Sequence, residues 1–72
     1  MFPEETLTKA QKLLQVCHEK GLHVSTVESC TGGLISGCLT AVPGSSSVVD
    51  RSFVTYTNEA KIEMVCVPAL LF

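Results

Sequence analysis

Ser29, Cys30, Thr31, Gly32 and Gly33 place two nucleophilic atoms, a second hydroxyl and two glycines in five consecutive positions, directly after the carboxylate of Glu28. A hydroxyl at a strand-to-helix turn can stand over the edge of a sheet as a nucleophile. Two glycines let a ligand approach the backbone closely, and the unpaired N–H groups of a new helix can hold a phosphate or a developing oxyanion. The plainer reading of the same residues is that Ser29 or Thr31 caps the helix and the glycines make the turn. Cys30 is the rival nucleophile, because a helix N-terminus favours the thiolate. No histidine is placed to serve it, so Ser29 ranks first.

A second group lies downstream at Tyr56, Asn58 and Lys61. With Asn58 as a helix cap, Lys61 is the third helical residue, where the dipole disfavours the charged form as a general base near neutral pH requires. The alternative is a solvated lysine paired with a nearby carboxylate. Tyr56 can donate a hydrogen bond to a substrate or simply close a strand with its hydroxyl in water. Glu28 is read as a capping or pairing carboxylate. His18 and His23 are read as structural, since neither has a partner at ligand spacing.

Positioning these groups takes a short series of elements. Leu7, Ala10, Leu14 and Cys17, with Leu13 alongside, recur at helical spacing and predict a helix over residues 4–20. Pro3 suits its start, Glu4 and Glu5 its first turn, and Gly21 its end. The β-branched run of residues 22–28 predicts a strand. Leu34, Ile35, Cys38, Leu39 and Val42 predict a second helix, closed by Pro43 and Gly44, with Ser45–Ser47 in a loop or short turn. Residues 52–56 predict a second strand, and Thr57 or Asn58 caps a third helix over residues 59–65, stopped by Pro68. Strand, helix and strand across residues 22–57 have the ~30-residue span of a βαβ unit. Its parallel strands end at one edge, where α/β proteins bind ligands. That edge collects Ser29, Tyr56 and Lys61.

The 72 residues make one domain at most, 46% hydrophobic and 17% charged, which excludes a disordered tail. A net charge of −2 without a basic block excludes the electrostatic footprint of a general nucleic-acid binder. No apolar run reaches the ~18–20 residues that cross a bilayer, and the acidic start MFPEETLTK is unlike a secretory signal. A cytoplasmic location is therefore expected. Cys17, Cys30, Cys38 and Cys66 contain no C-x-x-C pair and no Cys/His cluster, so free thiols and no metal site are expected. Cys17, Cys38 and Cys66 fall at apolar positions, where free Cys acts as a small hydrophobe. Two strands are too few for a stable sheet alone, so self-association is expected as well.

The runs V-S-T-V-E-S-C-T-G-G-L-I-S-G-C-L-T, V-P-G-S-S and V-T-Y-T-N-E-A-K resemble the C-terminal domain of the competence/damage-inducible CinA proteins, from about residue 5 to Pro68. The resemblance implies a three-layer α/β/α domain acting as a nicotinamide mononucleotide amidohydrolase, without a cofactor. It implies Ser29 as nucleophile, Tyr56 and Lys61 in the same pocket, and substrate binding by Cys30, Thr31, Gly32, Gly33 and Asn58. The family's domain is longer. Its later part carries a Thr-Gly-x-x-Gly-Pro-Gly-Gly type loop and a downstream Arg, to which nothing in residues 1–72 corresponds. The expectation is a single, incomplete domain over residues 1–72. Arg51 and Ser52 stand where many members carry two glycines, and Cys66 replaces a glycine usual before Val67 and Pro68.

Overall fold

Glu4 and Glu5 sit at the positive end of a helix dipole and Gly21 at φ +67° ends the same helix, α1 (Glu4–Glu19). In the computed structural model, which describes residues 1–72, the chain after α1 closes a Schellman-type cap. The Gly21 N–H donates to the His18 carbonyl at 3.2 Å and the Leu22 N–H to the Cys17 carbonyl at 2.8 Å. That cap consumes Leu22, so the first strand, β1 (Val24–Glu28), begins two residues later than its β-branched run suggests.

The second helix, α2 (Leu34–Thr40), starts after Gly33 and is followed by a 3-10 turn over Ser45–Ser47. The second strand, β2 (Val49–Val54), is displaced from the expected residues 52–56. The Val24 N–H donates to the Val48 carbonyl at 2.9 Å, so pairing begins as soon as the 3-10 turn ends. Polar Asp50, Arg51 and Ser52 hide this start from a hydrophobicity reading. The register passes from Val24 opposite Val49 to Ser25 opposite Arg51, leaving Asp50 as an extra residue in a bulge. The bulge falls beside Arg51 and Ser52, where the glycines of the resemblance would stand. Two strands, β1 and β2, make one parallel sheet.

The third helix, α3 (Asn58–Val65), is capped by Thr57, whose hydroxyl accepts the Ala60 N–H at 3.1 Å. Of the two caps expected, the chain therefore uses Thr57. Lys61 becomes the fourth helical residue, and its N–H donates to the Thr57 carbonyl. At the far end Cys66 adopts φ +61°, the left-handed conformation that glycine takes freely. Cys66 is exposed there, not packed as its apolar position suggested.

The core lies between α1, α2 and the start of β2. Ala10, Leu14 and Cys17 meet Cys38, Leu39, Val42 and Val48, with Phe2, Leu7, Val24 and Val49 packed at the margin. Leu13, Leu34 and Ile35, counted by periodicity among the apolar positions, are about half exposed. α3 buries no residue. The result is an α/β fold 38 × 28 × 16 Å across, with Val27 and Val54 of the sheet left open to solvent.

Candidate functional site

β1 and β2 end together. Glu28 stands opposite Val54 as the last pair, and the Thr55 N–H then donates to the Glu28 carbonyl at 2.8 Å. The Thr55 hydroxyl donates to the same carbonyl at 3.3 Å, and Thr55 is almost fully buried. Ser29 follows one paired end and Tyr56 lies two residues beyond the other. Both chains thus leave the carboxyl edge of the sheet side by side.

The turn after Ser29 depends on glycine. Gly32 has φ +63° and Gly33 φ +100°, where side chains are strained. Neither Ser29 nor Thr31 caps α2. Glu28, 2% exposed, reaches across the turn instead. Its Oε1 accepts the Thr31 hydroxyl at 2.7 Å and the Ile35 N–H at 2.8 Å, and its Oε2 accepts the Ser36 N–H at 2.9 Å. Burial pushes the Glu28 carboxyl upward. Bonds from Ser36, Thr31 and Ile35 outweigh it, so the group lies below the ordinary value of 4.5.

This corrects one expectation about the helix start. The N–H groups of Ile35 and Ser36 are taken by an internal carboxylate and are not open to a ligand. The amides of Cys30, Thr31 and Gly32 donate to no backbone carbonyl and remain the donors of this turn. Glu28 thus caps as its sequence reading expected, but which groups it caps is not legible in the sequence, because they lie three, seven and eight residues away and only the folded turn brings them together.

Tyr56 is exposed, as are Cys30, Thr31, Gly32 and Asn58, while Ser29, Gly33 and Lys61 are half-buried. The Lys61 ammonium stands 5.6 Å from the centre of the Phe72 ring, a cation–π contact that periodicity did not reveal. Two clefts occur elsewhere. One of about 480 Å³ lies along Phe2, Leu13, Leu34 and Ile35, and one of about 350 Å³ along Gln11, His18, Pro43 and Ser47. Neither is lined by Ser29, Tyr56 or Lys61. No helix is long and apolar enough to cross a membrane.

A parallel strand–helix–strand unit with a serine and two glycines following the carboxyl end of its first strand is an α/β unit. The chain belongs to the CinA C-terminal domain family, whose family model matches residues 6–71. A CinA-like protein of Chloroherpeton thalassium is 53% identical over 49 residues, covering 68% of this chain and 12% of the relative. The nicotinamide-nucleotide amidohydrolase PncC of Escherichia coli K12 is 40% identical over 65 residues, covering 90% of this chain and 39% of that protein. The crystal structure of the competence/damage inducible protein CihA from Agrobacterium tumefaciens matches with a TM-score of 0.93 and 52% identity. That match covers 96% of this chain and 42% of the other. The chain therefore spans less than half the length of each of these relatives.

Proposed function

We propose that this chain carries the nucleophile-bearing part of a nicotinamide-nucleotide amidohydrolase, acting on nicotinamide mononucleotide to give nicotinate mononucleotide and ammonia. The observation that supports it is the common sheet edge, where the Glu28–Val54 pair hands the chain on to Ser29 and Tyr56. In this reading Ser29 Oγ attacks the carboxamide carbon while Lys61, beside Tyr56, takes the hydroxyl proton. The new oxyanion faces the free amides around Thr31 and Gly32; losing one such donor typically costs about 10²–10³ in rate. The proton passes to the leaving nitrogen, ammonia departs, and water hydrolyses the acyl-serine to release the acid. Cys30 and Asn58 line the substrate. Water is the co-substrate, and no cofactor, metal, nucleic acid or membrane enters the scheme. The proposed setting is the cytoplasm, with the chain self-associated.

A second reading is a non-catalytic fragment that binds nucleotide or a protein partner. It draws on α3, which buries no residue. Ammonia release from nicotinamide mononucleotide separates the two. Turnover by the chain, lost in Ser29→Ala with the fold intact, supports the enzyme. Unchanged turnover in that variant ends the nucleophile assignment, and nucleotide binding without ammonia favours the fragment.

A further inference from the structure

Glu28 is the only buried carboxylate of the chain, and the scheme above gives it no task. Its position is fixed from both sides. The backbone carbonyl is held by Thr55 of the strand exit, through an N–H at 2.8 Å and a hydroxyl at 3.3 Å. The side chain is held by Thr31 in the turn and by Ile35 and Ser36 in the first turn of α2. Ser29 lies between these anchors.

The turn itself has little else to select its shape. Gly32 and Gly33 both lie at positive φ, and glycine is the residue with the most conformational freedom to lose. The backbone bond that closes it, from the Leu34 N–H to the Thr31 carbonyl, is long at 3.3 Å. The three short bonds to one carboxylate are charge-assisted and therefore the stronger set.

We propose that Glu28 is a positioning residue for Ser29, its carboxylate locking β1, the glycine turn and α2 into one arrangement that fixes the serine hydroxyl and the free amides of Cys30, Thr31 and Gly32. The consequence for reaction rests on the amidohydrolase reading; the locking rests on geometry alone. Two oxygens serve three donors, so both must accept. A glutamine would keep one oxygen and turn an NH₂ toward the Ser36 N–H, donor against donor. An aspartate keeps the charge but draws it back by one methylene.

The test compares the chain with Glu28→Gln, Glu28→Asp and Leu14→Ala, the last a core change in α1 remote from the turn. Two quantities are read below the thermal midpoint of every variant: the rate of Ser29 labelling by a fluorophosphonate, and the backbone heteronuclear NOE of residues 30–33. Misplacement of a reacting group by about 1 Å can cost roughly 10²-fold, so Glu28→Gln is expected to label about 10- to 100-fold more slowly. Leu14→Ala, even if more destabilised, is expected to label at the parent rate, and Glu28→Asp between the two. Unchanged labelling in Glu28→Gln, or an equal loss in Leu14→Ala, overturns the proposal. If the parent chain is not labelled at Ser29, the nucleophile reading fails and the NOE decides the locking by itself. Lower values at residues 30–33 with β1 unchanged in Glu28→Gln support it, and unchanged values overturn it. Should Glu28→Gln not fold, Glu28→Asp is read against the same outcomes.

Discussion

The Thr31 hydroxyl donates to the Glu28 carboxylate at 2.7 Å, the shortest of three bonds that this buried group accepts. Thr31 therefore stabilises the ionised form of Glu28 while Glu28 orders the turn in which Thr31 sits.

That pairing sets an acid limb of stability. The folded-state value of Glu28 lies below its ordinary 4.5, so the unfolded chain binds the proton more readily. The stabilisation is complete above the unfolded value and is lost as pH falls through the folded one. The thermal midpoint is expected to drop below about pH 4.5, less steeply in Glu28→Gln. Thr31→Val removes one donor, brings the folded value closer to the unfolded one and is expected to make the drop smaller, with only its lower end moving to higher pH. Superimposable midpoint–pH curves for the three proteins would count against this account.

Thr57 caps α3 through its bond from the Ala60 N–H. Thr57→Ala is expected to cost about 1 kcal/mol. Because α3 buries nothing, the loss falls on the helix itself, visible as reduced helical secondary shifts over residues 58–65 with the α1–α2 core unchanged.

Cys66 holds φ +61° at the end of α3, where the Val67 N–H returns to the Lys61 carbonyl at 3.1 Å. Left-handed backbone costs an ordinary residue roughly 1–2 kcal/mol, offset in part by the greater unfolded freedom of glycine. Cys66→Gly is expected to raise stability by about 0.5–1 kcal/mol in denaturant unfolding. A neutral or lower midpoint would show that the thiol contributes a contact of its own.

All four cysteines are free, two buried and two exposed. Thiol titration without reductant is expected to find four groups in denaturant, with Cys30 and Cys66 reacting first in the native chain and Cys17 and Cys38 slowly. A count below four would contradict it.

The accessible surface is 5290 Å², whereas a folded monomer of this mass exposes about 4,300 Å². The excess includes Val27 and Val54 of the sheet and Leu70, Leu71 and Phe72 at the C-terminus. Patches of this kind find a partner or aggregate. Sedimentation equilibrium at micromolar concentration is expected to show association; a clean monomer with a concentration-independent thermal midpoint would refute it.

The sequence by itself determined the order of elements and the place of the serine turn. Helical periodicity at Leu7, Ala10, Leu14 and Cys17, the stop at Gly21, and glycines 32 and 33 after a β-branched run are local signals, and local backbone preference carries them into the fold. The tertiary structure alone decided the rest, because it depends on partners distant in the chain. β2 begins at Val49, under polar residues, since the Val48 carbonyl meets the Val24 N–H. Leu34 and Ile35 stay half exposed along a cleft with Phe2 and Leu13, since α2 meets the core through Cys38, Leu39 and Val42. Glu28 displaces Ser29 and Thr31 as the cap of α2, because a strand end and a helix start meet across two left-handed glycines and a buried carboxylate takes the donors nearest to it.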